Sequence, residues 1–473
     1  MKKPFLKSSY IKWIAFAVWM LIWFFAAHAV GNNVLLPSPR ATILALISLV
    51  GTGKFWMNVF WTVLRTVLGI VISFGLGTAC AALANKNLAV REFLRLPVNF
   101  FKSIPVMAII IYVILVVKST WVAVVVCFLM CFPIAYTNIL NGLQSLDPSR
   151  LELGESLGLS KKQMIKYIIR PSLDTQIKTA LSLITGMSWK VVVASEVLAI
   201  PKFSIGYQML NSKYYLETPE LFAYMIVLIV LSLLMEKLVA MIAGLNTVKL
   251  GMSLEREAEG APIISLDDSP ARISFKKVSK SFNSEDGSVI HALEDFSYEF
   301  TPGITAVLAP SGAGKTTMAR IIKGFEEPDS GTLTGAKNSR MAYLFQEDRL
   351  LPWLSVKGNM LLALLAGNCT GQAAEAAVAA TAEKLEIADA LLMMPSELSG
   401  GMAHRAAMGR TLLFGGEVLI LDEPFRGLDE ELRGRIIEDI SDELRPPDRP
   451  KTVILITHDE DLAEELADRV VRL

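Results

Sequence analysis

The chain has 473 residues, of which 52% are hydrophobic and only 19% charged, and its mean hydropathy is +0.45. Soluble domains carry about a quarter charged residues, so this composition excludes an ordinary soluble enzyme, and the length predicts two or more domains. Residues 1–250 hold 23 Lys and Arg against 9 Asp and Glu, whereas residues 251–473 hold 23 against 37. A basic, apolar half therefore precedes an acidic half, which lacks the basic surplus that nucleic-acid binding requires.

Apolar runs recur through the first half at about the 20 residues that a membrane-spanning helix needs. Six spans are predicted, over 13–30, 57–84, 97–117, 120–142, 176–199 and 221–245. The first run follows a lysine-rich start and resembles a signal peptide, but the five runs behind it favour an uncleaved anchor. Arg65 lies inside the second run, so we expect the first turns of that run to lie at a membrane interface.

Basic residues between the runs predict the orientation of the spans, because cytoplasmic loops carry the excess of Lys and Arg. The N-terminal segment and the segments after the second and fourth runs hold twelve, whereas the opposite segments hold five. We therefore expect the N-terminus and the acidic half to lie in the cytoplasm, with the spans surrounded by membrane lipid.

The segment between the fourth and fifth runs has the pattern of a short helix–turn–helix. Asp147 can cap a helix, and Pro148 suits its first turn. Gly158 permits a sharp bend, and Pro171 ends the following segment. This shape, at the predicted cytoplasmic surface, suits docking on another domain.

The same segment resembles the EAA loop of bacterial binding-protein-dependent importer permeases. Four positions match the spacing of that motif: Glu152, Gly158, Ile168 and Pro171. Three positions depart from it: Leu153, Gly154 and Arg170. The resemblance covers most of residues 30–245, and segments such as Leu36-Pro37-Ser38-Pro39 look like permeases of the nitrate, sulfonate and taurine branch.

This resemblance implies that residues 1–246 form a permease of the bacterial inner membrane that works with a separate solute-binding protein. It also implies that the loop 147–171, through Glu152, Gly158 and Pro171, couples the permease to an ATPase.

Beyond the permease, residues 247–270 are polar and acidic, which predicts a linker. In residues 271–473 short aliphatic runs alternate with helical patterns, as in a parallel α/β sheet. The run Ile304–Leu308 predicts a buried strand, followed by a glycine-rich turn and a helix, which is the context of a P-loop.

Backbone N–H groups of a P-loop cradle phosphates at a helix N-terminus, so we expect ATP here. The expected contacts are Pro310, Ser311, Gly312, Ala313, Gly314, Lys315, Thr316 and Thr317. Lys315 is expected to reach the β- and γ-phosphates, and Thr316 to hold Mg²⁺. Ala309 stands where the pattern has its first glycine, which is tolerable if Ala309 keeps a negative φ.

A second aliphatic strand, Val418–Leu421, ends in two acids. We expect Asp422 to join the Mg²⁺ shell and Glu423 to orient and deprotonate the attacking water. Such a strand end could arise by accident, but its place about a hundred residues after a P-loop favours a nucleotide site.

The segment Leu398-Ser399-Gly400-Gly401-Met402 opens a helix with a second anion-binding turn. Together with the P-loop and the acidic strand end, it makes residues 272–473 resemble the ABC ATPase family. The resemblance implies that Ser399, Gly400 and Gly401 cap ATP bound to a partner subunit, so that the chain works as a homodimer. Met402 stands in place of the usual Gln, and Ala403-His404-Arg405 is also atypical.

Other positions fit further motifs of that family. Phe282 fits the aromatic that stacks on adenine, although alone it would more often be a core or surface residue. Gln346 fits the Q-loop, with a catalytic role at the γ-phosphate and a place in the Mg²⁺ shell. Asp429 fits the D-loop, and His458, beyond the strand Val453–Ile456, fits the switch histidine.

The whole chain thus resembles a fused half-transporter, with an all-α transmembrane bundle like that of type I importers followed by an α/β P-loop ABC ATPase. Nitrate, sulfonates or taurine, and pyrimidine precursors all remain open as solutes. Two alternatives also remain: an ABC exporter, and a membrane-tethered ATPase that drives a partner without moving solute.

Overall fold

A computed structural model describes residues 8–259, 271–283, 288–310, 314–336, 339–365, 372–446 and 450–473. Contacts divide the chain into two compact units. We call them the N-terminal unit, Met1–Leu146 with Ser172–Leu245, and the C-terminal unit, Asp147–Pro171 with Asn246–Leu473. The loop predicted to couple the two halves therefore belongs to the C-terminal unit.

Helices account for all the secondary structure described between residues 8 and 259. In chain order they are α1 Ser8–Val30, α2 Pro39–Val50, α3 Gly53–Lys86, α4 Leu88–Ser103, α5 Val106–Val116, α6 Ser119–Gln144, α7 Pro148–Ser156, α8 Lys161–Gln163, a π-helical turn Met164–Ile169, α9 Arg170–Ser172, α10 Asp174–Ala199, α11 Ile205–Tyr214 and α12 Thr218–Glu259.

Five of the described helices are long and apolar enough to cross a membrane: Trp13–Val30, Gly53–Lys86, Ser119–Gln144, Asp174–Ala199 and Thr218–Ile242. The predicted span 97–117 is not one helix, because α4 and α5 meet at 108°. Pro105 lacks an N–H and disfavours a helical conformation of Ile104, which takes an extended ψ of 137°. The predicted count of six therefore holds only if this bent pair counts as one span.

The last helix continues beyond the apolar run. Residues 247–259, predicted as linker, belong to α12, which ends at Glu259, while 260–270 lie outside the described residues. The acidic composition suggested a linker, but the stretch from Leu254 to Glu259 consists of Leu, Glu, Arg and Ala, which are strong helix formers. The boundaries 1–246 and 271–473 stay predictions.

A buried ion pair holds together three helices of the N-terminal unit. Arg65 Nη1 on α3 lies 2.7 Å from Glu196 Oε1 on α10. The Thr62 hydroxyl and the backbone N–H of Gly206, in the first turn of α11, also donate to this carboxylate. The Arg65 side chain finds its partners inside the bundle, and the expectation that the first turns of this run lie at a membrane interface stays a prediction.

Two sheets form the C-terminal unit. The strands are β1 Ile273–Asn283, β2 Val289–Phe300, β3 Gly303–Leu308, β4 Ser330–Thr334, β5 Met341–Leu344, β6 Val418–Asp422, β7 Thr452–Thr457 and β8 Arg469–Arg472. The helices are α13 Lys315–Lys323, α14 Val356–Leu364, α15 Gln372–Lys384, α16 Gly400–Phe414, α17 Glu430–Asp439, α18 Ser441–Leu444 and α19 Glu460–Leu466, with 3₁₀ turns at Ala388–Ala390 and Pro395–Glu397.

The larger sheet is parallel, with strand order β5-β6-β7-β3-β8, and the smaller sheet is antiparallel, with order β2-β1-β4. Strands β6 and β7 are buried throughout, as their continuous aliphatic runs predict for the centre of a parallel sheet. Because β3, β6 and β7 are neighbours running in one direction, the residues after each of them meet at one edge.

Candidate functional site

A cavity of about 280 Å³ lies at this carboxyl edge of the parallel sheet. It is lined by Phe282, Ile290, Ala292, Gly314, Lys315, Thr316, Thr317, Gln346, Asp422 and Glu423. The cavity therefore brings together eight of the residues that the sequence predicted. Ile290 and Ala292 were missed, because only the pairing of β2 with β1, which sets Ile290 opposite Phe282, places them here.

The P-loop turn is built around a glycine that no other residue can replace. Gly314 has φ +84°, and a Cβ there would lie 1.9 Å from the Ala292 carbonyl oxygen. Lys315 Nζ donates to the Ala309 carbonyl at 2.6 Å. Ala309 itself is not among the described residues with positive φ, so the condition for its replacing glycine is met.

The remaining P-loop predictions divide into two groups. Ser311, Gly312 and Ala313 lie outside the described residues. Pro310 does not line the 280 Å³ cavity but a neighbouring one of about 330 Å³, which also includes His458.

Asp422 is buried at the end of β6 and accepts a hydrogen bond from the Thr316 hydroxyl at 3.2 Å. Burial raises the pKa of Asp422 to about 6, and the nearby Glu423 charge adds to that effect. The Thr316 hydrogen bond and the Lys315 charge act in the opposite direction. A carboxylate and a hydroxyl in direct contact are hard oxygen donors, the type that Mg²⁺ prefers.

Glu423 follows β6 in a left-handed conformation, with φ +54°, which is uncommon for a residue other than glycine. Its backbone N–H donates to the Ile456 carbonyl on β7 at 2.9 Å. Its carboxylate Oε1 lies 2.7 Å from His458 Nδ1 and 4.0 Å from Lys315 Nζ. The carboxylate thus points into the cavity between two nitrogen groups, where it can accept a proton from water.

The glycine-rich turn 399–401 and Asp429 do not line this cavity. Ser399 caps α16 by accepting from the Met402 N–H, and Asp429 caps α17 by accepting from the Leu432 N–H. Among the described residues that line the cavity, none belongs to the turn 399–401 or is Asp429. The exposed N-terminus of α16 is therefore available to an anion held by another molecule.

In the loop between the fourth and fifth runs, the first helix, α7, ends just before Gly158, as the sequence predicts. Gly158 has φ +62°, its N–H donates to the Glu155 carbonyl, and the Leu159 N–H donates to the Gly154 carbonyl. These two bonds form a Schellman motif, whose left-handed position favours glycine. The predicted bend at Gly158 is confirmed.

Glu152, on α7, binds two arginines of the C-terminal unit. Its Oε1 accepts from Arg320 Nη2 at 2.8 Å, and its Oε2 accepts from Arg320 Nη1 at 3.0 Å and from Arg349 Nη1 at 2.9 Å. The hydrogen bonds from Arg320 and then Arg349 hold the pKa of Glu152 below its usual range, against partial burial. Sequence reasoning did not identify either arginine as a partner of Glu152, from which they lie 168 and 197 residues away in the chain.

Comparison with known proteins matches both halves of the chain. Residues 69–245 match the family described as binding-protein-dependent transport system inner membrane component, and residues 293–426 match the family described as ABC transporter. The aliphatic sulfonates import ATP-binding protein of Delftia acidovorans is 38% identical over 185 residues, which cover 38% of this chain and 73% of that protein. The chain belongs to the ABC transporter family.

Two further similarities concern the ATP-binding half. An aliphatic sulfonates import ATP-binding protein of Rhizobium johnstonii is 38% identical over 222 residues, which cover 46% of this chain and 78% of that protein. A solved dimeric bacterial ABC transporter cassette, MJ0796, covers 42% of this chain and 94% of its own, with 23% identity and a TM-score of 0.38. This ABC transporter therefore carries a permease and an ATPase coupled to transport in one chain.

In the ABC transporter chain, further contacts fix the loop 147–171 to the ATPase. Lys323 Nζ donates to the carbonyls of Ser156 and Met341, and burial lowers the pKa of Lys323 to about 8. The Trp353 indole donates to the Tyr167 carbonyl at 2.9 Å. Pro171, four residues after Tyr167, has no N–H to offer that carbonyl. The helical segment ends one residue later, at Ser172, close to the predicted end.

Proposed function

We propose that the chain is one half of an ATP-driven importer that works as a homodimer with a separate solute-binding protein. It carries a small solute of the sulfonate class across the bacterial inner membrane, with its ATPase in the cytoplasm. The single observation that carries this proposal is the bidentate contact between Glu152 and Arg320, because it fixes the loop between two spans to the helix that begins at Lys315. The names of the two sulfonate-import relatives support the solute class.

At the nucleotide, Lys315 and the P-loop backbone bind the phosphates, while Phe282 stacks on the adenine at the side of the cavity. Glu423 orients the attacking water and accepts its proton, and His458, hydrogen-bonded to that carboxylate, holds it in place. Gln346 lines the same cavity and contacts the γ-phosphate end of the nucleotide.

The residues present also fit Mg²⁺. Asp422 and Thr316 are oxygen donors in contact with each other, and Mg²⁺ beside a nucleotide needs only one or two protein ligands, since phosphates and water supply the rest. Asp422, Thr316 and Gln346 would hold the ion, which when bound neutralises charge that develops on the phosphates.

Coupling follows from where the arginines lie. Arg320 is on the helix that follows the P-loop, and Arg349 is three residues beyond Gln346, so both arginines lie on segments that begin at the nucleotide cavity. When ATP draws two copies together, with Ser399 to Gly401 of one copy capping the nucleotide of the other, both arginines carry Glu152 and its loop with them. The spans then alternate their access because ATP binds one arrangement more tightly.

Uptake into proteoliposomes tests the proposal. The vesicles contain the full chain, with ATP and Mg²⁺ inside and a candidate solute-binding protein outside. The probes are labelled taurine, nitrate and a pyrimidine precursor. We expect taurine uptake that needs ATP and the binding protein and that the Glu423→Gln variant lacks.

Each other outcome contradicts one part of the proposal. Uptake of nitrate or the pyrimidine alone would reject the solute class. ATP-dependent extrusion would indicate an exporter, and hydrolysis without solute movement would indicate an ATPase that drives a partner.

A further inference from the structure

The helix α16 carries three buried polar side chains that no part of the proposed mechanism uses: His404, Arg410 and Thr411. His404 and Arg410 are each 2% exposed. His404 departs from the family pattern at a position just beyond the glycine-rich turn.

His404 joins two segments that border the nucleotide cavity. Its Nε2 lies 3.1 Å from the Glu423 carbonyl oxygen and 2.9 Å from the Pro424 carbonyl oxygen. Carbonyl oxygens only accept, so Nε2 carries a proton and donates to both. Its Nδ1 lies 2.7 Å from Asp348 Oδ1, two residues beyond Gln346.

The Glu423 backbone needs such support, because its φ of +54° is unfavourable for a side chain of this size. Three hydrogen bonds hold this backbone. Its N–H donates to the Ile456 carbonyl, and its carbonyl accepts from the Arg426 N–H at 3.3 Å and from His404 Nε2 at 3.1 Å, so His404 supplies the only one of the three that comes from a side chain among the described residues. The direction in which the Glu423 carboxylate leaves the backbone depends on that conformation.

Arg410 supports the backbone of the segment that follows Gln346 in a similar way. Arg349 is also left-handed, with φ +45°, and Arg410 donates to the carbonyls of Arg349 and Asp348 at 3.0 and 2.8 Å. The same α16 thus holds the backbone of Glu423 and the backbone of the residue that binds Glu152.

We propose that His404 is a positioning residue for ATP hydrolysis. Through Nε2 it holds Glu423 in its left-handed conformation, and through Nδ1 it ties that residue to the segment that contacts the coupling loop. The proposal rests on the proposed role of Glu423 as the group that activates water.

Glutamine and asparagine separate the two contacts of His404. A Gln places its amide nitrogen near the position of Nε2, whereas an Asn places its amide near Nδ1. We therefore compare His404→Gln, His404→Asn and His404→Leu in the purified full chain, measuring kcat and KM for ATP, binding of a fluorescent ATP analogue, and thermal unfolding. Glu423→Gln is measured beside them.

The Leu and Asn variants are expected to lower kcat by about 10- to 100-fold, since a small misplacement of a reacting group has effects of that size. Their KM for ATP and analogue binding should change by no more than about twofold, because the interaction lost belongs to the chemical step. The Gln variant should recover most of kcat. If the Leu variant does not fold, the Gln and Asn variants decide the matter by themselves.

Equal kcat values for the Gln and Asn variants would overturn the proposal, as would a raised KM with unchanged kcat. Near-normal turnover by Glu423→Gln would reject the role of Glu423, and the role of His404 with it. Loss of turnover in Glu423→Gln together with normal kcat in His404→Leu would reject His404 alone.

Discussion

Lys315 and Glu423 lie 4.0 Å apart, but their substitution should produce different defects. Lys315→Ala removes the cation that meets the phosphates, so we expect loss of ATP binding. Glu423→Gln keeps the size of the side chain but cannot accept a proton, so we expect intact binding and turnover lowered by at least about 100-fold.

Analogue binding and phosphate release by the full chain separate these defects. Phe282→Leu is a useful comparison, because it should weaken ATP binding without lowering kcat at saturation. Phosphate release by Glu423→Gln near the rate of the unmodified chain would contradict its assignment.

Residues with fixed local spacing could be predicted from the sequence. Lys315, Thr316 and Asp422 stand beside strand ends, and the neighbouring positions of β3 and β6 around β7 bring them into one cavity. Arg320 and Arg349 could not be found in this way, because their common partner Glu152 is remote in the chain. The sequence marked His404 only as an atypical residue. Its partners Asp348 and Glu423 could not be predicted, because tertiary packing brings them together.

At the scale of elements, Gly158 determines where α7, the first helix of the predicted coupling loop and here called the coupling helix, ends. A β-branched residue at φ +62° is strained, so Gly158→Val should break the Schellman motif and misplace α7. We expect ATP hydrolysis to survive and solute uptake to fail. Gly158→Asn is the matched control, because Asn tolerates the left-handed conformation, and its uptake should remain close to normal.

Proteoliposomes report both activities of the Gly158 variants in one preparation. Unimpaired uptake by Gly158→Val would show that the loop is only a connector, whereas equal loss in the Val and Asn variants would show that any side chain disrupts the site.

Lys323, beneath the coupling helix, gives a pH dependence with a definite sign. Burial, with a smaller effect of Arg340, lowers the pKa of Lys323 from 10.5 to about 8 in the folded chain. Between pH 8 and pH 10.5 the unfolded chain binds more protons than the folded chain, so the free energy of unfolding should rise with pH across this range. This gain should be lost again as the pH falls through 8. The upper limit of this contribution is roughly 3 kcal/mol.

Lys323→Met should flatten this rise, because Met has similar length and no charge. The measurement is the unfolding midpoint of the detergent-solubilised chain from pH 7.5 to 10.5, with Lys276→Met, an exposed lysine, as control. Identical slopes for the unmodified chain and Lys323→Met would contradict the lowered pKa of Lys323.

Secondary structure was predicted best where one signal acts alone. The long apolar helices α3, α6 and α10 agree with the predicted runs because hydropathy and length suffice. The run 97–117 is apolar enough for one span but contains Pro105, and the proline divides it into two helices that meet at 108°. The stretch 247–259 combined an acidic composition with helix-forming residues, and helix propensity extended α12 to Glu259.

For the whole molecule, we propose that a single chain supplies half of each nucleotide site. The described residues that line the cavity come from the P-loop, β1, β2, the Q-loop segment and the end of β6, and the turn 399–401 is not among them. A two-fold pairing would present that turn from each copy to the P-loop of the other, completing two sites at once. It would also bring together two sets of spans around one path for solute.

Mixing two inactive variants tests this pairing. Lys315→Ala removes the P-loop cation, and Ser399→Arg fills the turn with a bulky side chain, so each variant alone should lack ATPase activity. In a mixed homodimer, the intact P-loop of the Ser399→Arg chain meets the intact turn of the Lys315→Ala chain, which restores one of the two sites. We expect partial recovery of ATPase activity after mixing, and none after mixing Lys315→Ala with Glu423→Gln, because those two defects fall in the same half-site. Full activity from a dispersed monomer, or no recovery in mixed dimers verified by two affinity tags, would show that the sites are not completed by a second copy of this chain.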